Sequence, residues 1–170
     1  MRFKFSPTIL NDYKREIKII SGDGSLYSNG EEYLIITDDK DTVDIFKIKF
    51  SYSCSPFKEA QIINQILAVG HEQHFYLYDL TKSKNFMSYE VEGYFGGFYV
   101  NDGLFYVTDA CGIHCIDNTG KLLWHNDNIA IDGIDISKFT DTEIQGNAEL
   151  DPPGGWKGFI LNKATGELIK

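Results

Sequence analysis

The chain has 170 residues, with 16 lysines and arginines against 25 aspartates and glutamates, so its formal net charge is −9. Apolar residues make up 42% of the chain and aromatic residues 14%, which excludes a disordered acidic tail and provides for a core without disulfides or a structural metal. The sign of the net charge argues against a nucleic-acid partner.

The N-terminal residues indicate neither export nor membrane insertion. Residues 1–7 include charged and aromatic side chains in alternation, and no apolar run of signal-peptide length follows them. No stretch approaches the roughly 18 apolar residues of a membrane span. The chain has three cysteines, at Cys54, Cys111 and Cys115. A secreted disulfide scaffold would normally contain more cysteines, and an even number of them. We therefore expect a cytoplasmic protein with reduced thiols and no membrane contact.

Short runs rich in β-branched and aromatic residues recur along the chain and predict strands. They occupy residues 33–37, 43–50, 75–78, 104–107, 113–116 and 159–161. Asn-Gly, Asp-Gly and Thr-Gly pairs at 28–30, 101–103 and 118–120 predict turns between them. Residues 59–68 also fit the spacing of a short helix, but we favour a strand pair there.

A repeat of about 38 residues organises these strands. The equivalent positions Thr37, Gly70, Thr108 and Gly146 lie 33, 38 and 38 residues apart. This period is typical of a four-stranded propeller blade. We predict a single all-β domain over 1–170, a small β-propeller-like array of about four blades with units 28–65, 66–101, 102–137 and 138–170. N-terminal strands within 1–20 are expected to complete the last unit. A β-sandwich or a half-propeller dimer is the alternative.

One unit carries a family resemblance. Residues 104–124 read Leu-Phe-Tyr-Val-Thr-Asp-Ala-Cys-Gly-Ile-His-Cys-Ile-Asp-Asn-Thr-Gly-Lys-Leu-Leu-Trp. This resembles the propeller blades of pyrroloquinoline-quinone dehydrogenases, well over this unit, in part over the fourth and faintly over the first two. The resemblance implies blade geometry. It does not imply the quinone, because those enzymes are exported and have far larger propellers, and we expect no cofactor.

The sequence supports neither a metal site nor catalysis. Cys111, His114 and Cys115 have ligand chemistry, but their spacing is not typical of zinc. We predict that Cys115 packs in a blade core and that His114 is exposed. His71 and His74 fall in a predicted hairpin loop without a metalloprotease pattern. No phosphate-binding glycine loop or nucleophile elbow occurs, so no catalytic residue is assigned.

Residues 151–156, Asp-Pro-Pro-Gly-Gly-Trp, form the most unusual string. Two prolines stiffen a loop that departs from the repeat, and two glycines then permit positive φ. Loops of this kind are where repeat proteins place function. Trp156 is therefore a candidate contact residue. The alternative is a rigid hairpin in which Trp156 fills the core of the propeller.

We predict a non-enzymatic, acidic protein-binding module with a basic partner, because complementary charge selects the partner and accelerates association. Its profile is similar to that of bacterial immunity proteins (antitoxins), which neutralise basic toxins such as nucleases. The candidate contact residues are Glu31, Glu32, Asp38, Asp39, Asp41, Asp44, Tyr94, Asp127, Asp132, Asp135, Asp141, Asp151 and Trp156. The alternative function is a small-molecule or carbohydrate-binding propeller domain, either a binding module or an enzyme domain, with Trp156, His71 and Asp109 at its mouth. A structural adaptor subunit is a third option.

Overall fold

The computed structural model describes residues 1–9, 16–21, 30–38, 42–51 and 53–170, which form β-strands and turns without an α-helix. No helix suited to crossing a membrane occurs in those ranges. The chain divides into two compact units, Met1–Tyr89 and Glu90–Lys170.

The first unit contains two four-stranded sheets. The first sheet has the order β1-β3-β4-β2, with β2 parallel to β4 and the other pairs antiparallel. Its strands are β1 (Arg2–Ser6), β2 (Lys18–Ile19), β3 (Gly30–Thr37) and β4 (Thr42–Phe50). The second sheet runs in chain order through β5 (Lys58–Ile63), β6 (Ile66–His71), β7 (His74–Asp79) and β8 (Lys84–Glu90).

The second unit also contains two sheets whose strands follow chain order. The third sheet consists of β9 (Phe95–Asn101), β10 (Leu104–Asp109), β11 (Ile113–Ile116) and β12 (Leu122–Asn126). The fourth sheet consists of β13 (Ile134–Phe139), β14 (Glu143–Glu149) and β15 (Trp156–Asn162).

Tight turns explain why consecutive strands are neighbours. Asn64 and Gln65 have φ of 48° and 69°, and Asp102 and Gly103 have φ of 50° and 75°. Positive φ at both central residues is the geometry of a two-residue hairpin whose twist matches that of the strands. The strand pair predicted within 59–68 is thereby confirmed, since β5 pairs with β6 from Lys58↔His71 to Ile63↔Ile66.

Each unit buries its own apolar cluster. The first includes Leu34, Ile36 and Phe46, and the second includes Cys115, Ile144 and Leu161. Alternate residues of a strand share a face, so the strand pattern of the sequence places these side chains inside. The predicted packing of Cys115 in a core is confirmed.

The N-terminal strands lie elsewhere than predicted. Instead of completing the last sheet, β1 pairs with β3 through Phe3↔Ile36 and Phe5↔Leu34, and β2 joins the same sheet. The reason is apolar burial, because Phe3 and Phe5 pack against the core of the first unit. The outer edge of β15 is instead covered in part by the C-terminal residues, through the Leu161↔Leu168 bridge.

The boundaries between sheets also differ from the predicted boundaries between repeat units by one strand. The strand expected to end the second unit, within 94–100, is β9 and begins the third sheet. The Asp102–Gly103 turn decides this, because a two-residue hairpin makes β9 and β10 direct neighbours.

Candidate functional site

A cross-strand row on the fourth sheet defines the candidate site. Glu149 lies directly opposite Trp156 in the β14–β15 pair, and the Glu149 amide donates to the Gly133 carbonyl at 3.0 Å on its other side. Directly opposed residues project from the same face of a sheet. Gly133 has no side chain, so Trp156 extends across the row until its Cη2 atom lies 3.5 Å from the position that a Gly133 Cβ would take. The indole therefore passes over Glu149.

Tyr94 and Asp132 border the far end of this ring. The Tyr94 hydroxyl lies 3.7 Å from the Gly133 Cβ position and donates to Asp132 Oδ1 at 2.8 Å. Burial, followed by this hydrogen bond, raises the pKa of Tyr94 to about 12, so the hydroxyl keeps its proton. We call Tyr94, Asp132, Gly133, Glu149 and Trp156 the Trp156 cluster.

The Trp156 cluster contains both exposed and buried side chains. Trp156 is 48% exposed, whereas Glu149 is only 5% exposed. The prediction that Trp156 contacts a partner stays a prediction. The alternative that Trp156 fills the propeller core is wrong, because almost half of its surface is exposed.

The loop before Trp156 is held by its own backbone. Leu150 donates to the Gly155 carbonyl and Gly155 to the Asp151 carbonyl, each at 3.1 Å, while the Gly154 amide donates to Glu149 Oε2 at 3.1 Å. These bonds agree with the rigid loop that the Pro-Pro-Gly-Gly string predicts. The loop presents Asp151 to solvent beside the exposed side chain of Leu150.

Exposed apolar side chains continue this surface. The Ile131 amide donates to the Glu149 carbonyl at 2.8 Å, and the Ile131 side chain is 59% exposed. An aromatic and aliphatic patch with a charged border is typical of a protein contact surface.

The predicted acidic residues of the first unit are mostly paired within it. Glu31 accepts from Lys47 at 2.9 Å, Glu32 from Lys58 at 2.7 Å, and Asp44 from Lys18 at 2.6 Å. Their charge is thus compensated locally, which weakens the case for their contact with a basic partner. Asp38 is exposed after β3. Asp39 and Asp41 lie outside the described residues.

The predicted acidic residues of the second unit have a different environment. Asp132 and Asp135 accept from the hydroxyls of Tyr94 and Tyr99, at 2.8 and 3.1 Å. Along the described parts of the chain, no lysine or arginine nitrogen lies within 4.0 Å of the four exposed carboxylates Asp132, Asp135, Asp141 and Asp151. Tyr94, Asp132 and Trp156 are brought together, and Asp151 adjoins them through the loop.

A second polar cluster occupies the third sheet. Asp109 is fully buried, and it accepts from the amides of Cys111 and Gly112 at 2.9 and 2.6 Å and from His114 Nε2 at 2.7 Å. Burial alone would raise the pKa of Asp109, but the bonds from His114 and the two amides outweigh it and lower that pKa. The predicted exposure of His114 is wrong, because its ring pairs with Asp109 and stacks on His125.

This cluster contains a possible metal-ligand set. His114 and His125 are directly opposed on β11 and β12, and Asp127 follows two residues later, so ligand atoms of all three lie within 4.8 Å of one another. Asp127 Oδ2 accepts from His125 Nδ1 at 2.8 Å. Two histidines and a carboxylate suit a divalent transition metal. Such an ion would have to compete with Asp109 for His114 Nε2.

The residues predicted for a ligand-binding mouth are buried. His71 is 1% exposed, its Nε2 bonds to Glu32 Oε2 at 2.7 Å, and its ring packs against Phe5 and Phe50. Asp109 is equally inaccessible. Their burial removes two of the three residues predicted to line the mouth of a small-molecule site.

Comparison with known proteins supports the fold alone. No family model matches the chain, and no curated protein does. Among solved structures, the chain is similar to BamB from Moraxella catarrhalis, with a TM-score of 0.55 and 11% sequence identity. The match covers 81% of this chain and 42% of BamB, so the chain spans less than half the length of that protein. BamB is a β-propeller, and the described residues of this chain form an all-β, propeller-like array with four sheets, as predicted.

Three site residues were missed by sequence reasoning. Glu149 and Gly133 gave no local signal, because their importance arises from strand pairing with Trp156. A signal did exist for His125, since a hairpin around the predicted 118–120 turn would have placed it opposite His114.

Proposed function

We propose that this chain is a non-enzymatic protein-binding module that contacts a basic partner through the Trp156 cluster. The carrying observation is the juxtaposition of a half-exposed indole with carboxylates that no described lysine or arginine neutralises. Tryptophan and tyrosine dominate the energetic centres of protein interfaces, and surrounding charge selects the sign of the partner.

The distribution of charge supports this proposal. The unit Glu90–Lys170 contains 13 acidic and 5 basic residues, a net charge of −8, whereas Met1–Tyr89 contains 12 and 11, a net charge of −1. The excess negative charge therefore belongs to the unit that also carries the Trp156 cluster. A concentrated field of this kind accelerates the approach of a cationic partner.

Within this class, we propose a role like that of bacterial immunity proteins, in which a small acidic protein masks the phosphate-binding surface of a basic nuclease toxin in the cytoplasm. Size, charge and the exposed aromatic patch support this assignment. The resemblance of residues 104–124 to quinoprotein dehydrogenase blades contributes blade geometry to the proposal and no cofactor.

Affinity capture from the native host tests the proposal. The tagged chain should recover a basic protein at low salt, and Trp156→Ala should abolish the recovery. Phe86→Ala is the matched control, because Phe86 is an exposed aromatic residue (38%) of the other unit. Equal recovery by all three chains, or recovery of no basic protein, would contradict the proposal.

Carbohydrate binding is the second candidate, favoured only by the exposed Trp156 ring beside Asp132. Aromatic faces present apolar area next to polar groups, as a sugar ring requires. A glycan array distinguishes the two functions: Trp156-dependent binding to one glycan class, without a protein partner, would replace protein binding with carbohydrate binding.

A further inference from the structure

Glu149 is a buried acid with unused hydrogen-bonding capacity. Its Oε2 atom accepts from the Gly154 amide, but its Oε1 atom is buried and accepts from no donor in the described ranges of the chain. No lysine or arginine of those ranges pairs with it either. Buried carboxylates normally acquire donors or a counter-charge, so this one calls for an explanation.

The position of Glu149 indicates what could supply that counter-charge. The Trp156 indole extends from its position opposite Glu149 to Gly133, so it spans the row that contains this buried acid. A cation on the exposed face of the indole is attracted by the ring and, through it, by the acid beneath. Asp132 stands at the end of the ring near Gly133, where it can accept from the same cation.

We infer that the Trp156 cluster is a binding site for an arginine side chain, and that the basic partner inserts such a residue there. The inference rests on the proposed function and names the chemistry of its contact. A guanidinium can stack on the indole while its in-plane N–H groups donate to Asp132. A lysine ammonium offers no plane to stack, so arginine is the expected preference.

Nuclear magnetic resonance of the two tryptophan indole N–H groups tests this inference on the intact chain. N-acetyl-arginine amide should shift the Trp156 signal in a saturable manner. Trp124 is the internal control, because its indole nitrogen is already bonded to the Lys163 carbonyl at 3.2 Å and lies outside the cluster. N-acetyl-lysine amide should bind more weakly, and the uncharged citrulline analogue should leave both signals unmoved.

Variants locate the contribution of each acid. Asp132→Asn should weaken binding of the arginine amide roughly threefold to tenfold, as expected for loss of a charged contact beside a cation–π pair. Glu167→Gln, which alters an exposed acid of the same unit outside the cluster, should leave binding unchanged. Glu149→Gln should also weaken binding, and unchanged Trp124 and amide spectra would show that this buried variant remains folded.

The arginine site would be overturned if the Trp156 signal did not shift with the arginine amide, or if the arginine and citrulline amides shifted it equally. Such a result leaves the proposed function standing if Trp156-dependent capture of a basic protein succeeds. Conversely, failed capture together with arginine-specific shifts would reject the proposed module and retain a cation site.

Discussion

At the scale of single residues, a buried carboxylate lies at the end of the second strand in each of the second, third and fourth sheets. Glu72, Asp109 and Glu149 stand at or just beyond the ends of β6, β10 and β14, and none is more than 5% exposed. Each accepts backbone amides of a neighbouring loop, such as that of Ser55 at 2.9 Å by Glu72. An acid in this position satisfies loop amides that would otherwise be buried without partners.

Asp109→Asn should therefore destabilise the protein by about 2–3 kcal/mol, because an amide group cannot accept on both sides and would leave buried donors unpaired. Urea unfolding measures the change, with the exposed Asp141→Asn as control. Equal stability of the two variants would show that the Asp109 network contributes little.

His71 should make stability sensitive to acid. Burial lowers its pKa, and the bond to Glu32 only partly opposes this effect; Nδ1 is buried without a partner within the described chain, consistent with a neutral ring that donates from Nε2 to Glu32. The unfolded state then binds a proton near pH 6.5 that the folded state resists, so the stabilising contribution is full above that pH and declines below it.

The free energy of unfolding should thus fall between pH 7.5 and 5, and fall less in His71→Gln. Urea titrations at both pH values provide the measurement, and His125→Gln, which alters a half-exposed histidine, is the control. An undiminished pH dependence in His71→Gln would assign the acid sensitivity to other groups.

At the scale of elements, the turns that follow β11 and β15, the third strands of the third and fourth sheets, have similar hydrogen bonding. Asp117 accepts from the amides of Thr119 and Lys121 at 2.8 and 3.0 Å, and Asn162 accepts from those of Ala164 and Thr165 at 2.9 and 3.2 Å. These are local side-chain-to-backbone bonds, which explains why the turn at 118–120 could be predicted from the sequence.

The turn after β15 has a second task. Gly166 has φ of 72°, and a Cβ there would overlap the Trp124 ring, whose β12 neighbour Asn126 donates to the Gly166 carbonyl at 2.7 Å. The absence of a side chain at residue 166 thus permits the turn to pack on Trp124 of the third sheet.

Gly166→Ala should cost more stability than Gly103→Ala. Both glycines have positive φ, with an expected strain of about 1–2 kcal/mol, but nothing lies within 4 Å of a Cβ at Gly103. The overlap with Trp124 should add about 1–3 kcal/mol. Thermal unfolding of both variants measures the difference. Equal losses of stability would mean that the Trp124 ring moves aside without loss of stability.

At the scale of the whole molecule, the net charge of −9 is unevenly distributed, with −8 in Glu90–Lys170 and −1 in Met1–Tyr89. In the first unit, lysines such as Lys18, Lys47 and Lys58 pair with acids, whereas the second unit has few cations to do so. Composition alone describes an acidic protein, whereas the division into units describes one acidic and one nearly neutral body.

A cationic paramagnetic co-solute should therefore relax amide protons of 90–170 more strongly than those of 1–89, relative to a neutral co-solute. The difference should largely disappear at 0.5 M salt, because the Debye length then falls to roughly half of its value near 10 Å at 0.1 M. Similar relaxation of both units at low salt would exclude the second unit as an electrostatic target.

The sequence by itself determined the strands, the hairpin turns and the propeller-like class. The runs of apolar, β-branched and aromatic residues in β10 and β11 and the Asp102–Gly103 turn act over a few residues, so they can be recognised without knowledge of tertiary contacts. Trp156 was identified for the same local reason, as the residue that follows a loop departing from the repeat.

Tertiary structure alone decided the placement of the N-terminal strand and the composition of the site. Phe3 and Phe5 could cover any apolar sheet, and only the shape of the first core selects β3 as their partner. Likewise, Gly133, Glu149 and Trp156 become one row through the β14–β15 register and the backbone bond from the Glu149 amide to the Gly133 carbonyl. Register is set by the packing of whole sheets. A shift of one residue would turn Glu149 to the opposite face, so that no carboxylate would lie under the indole.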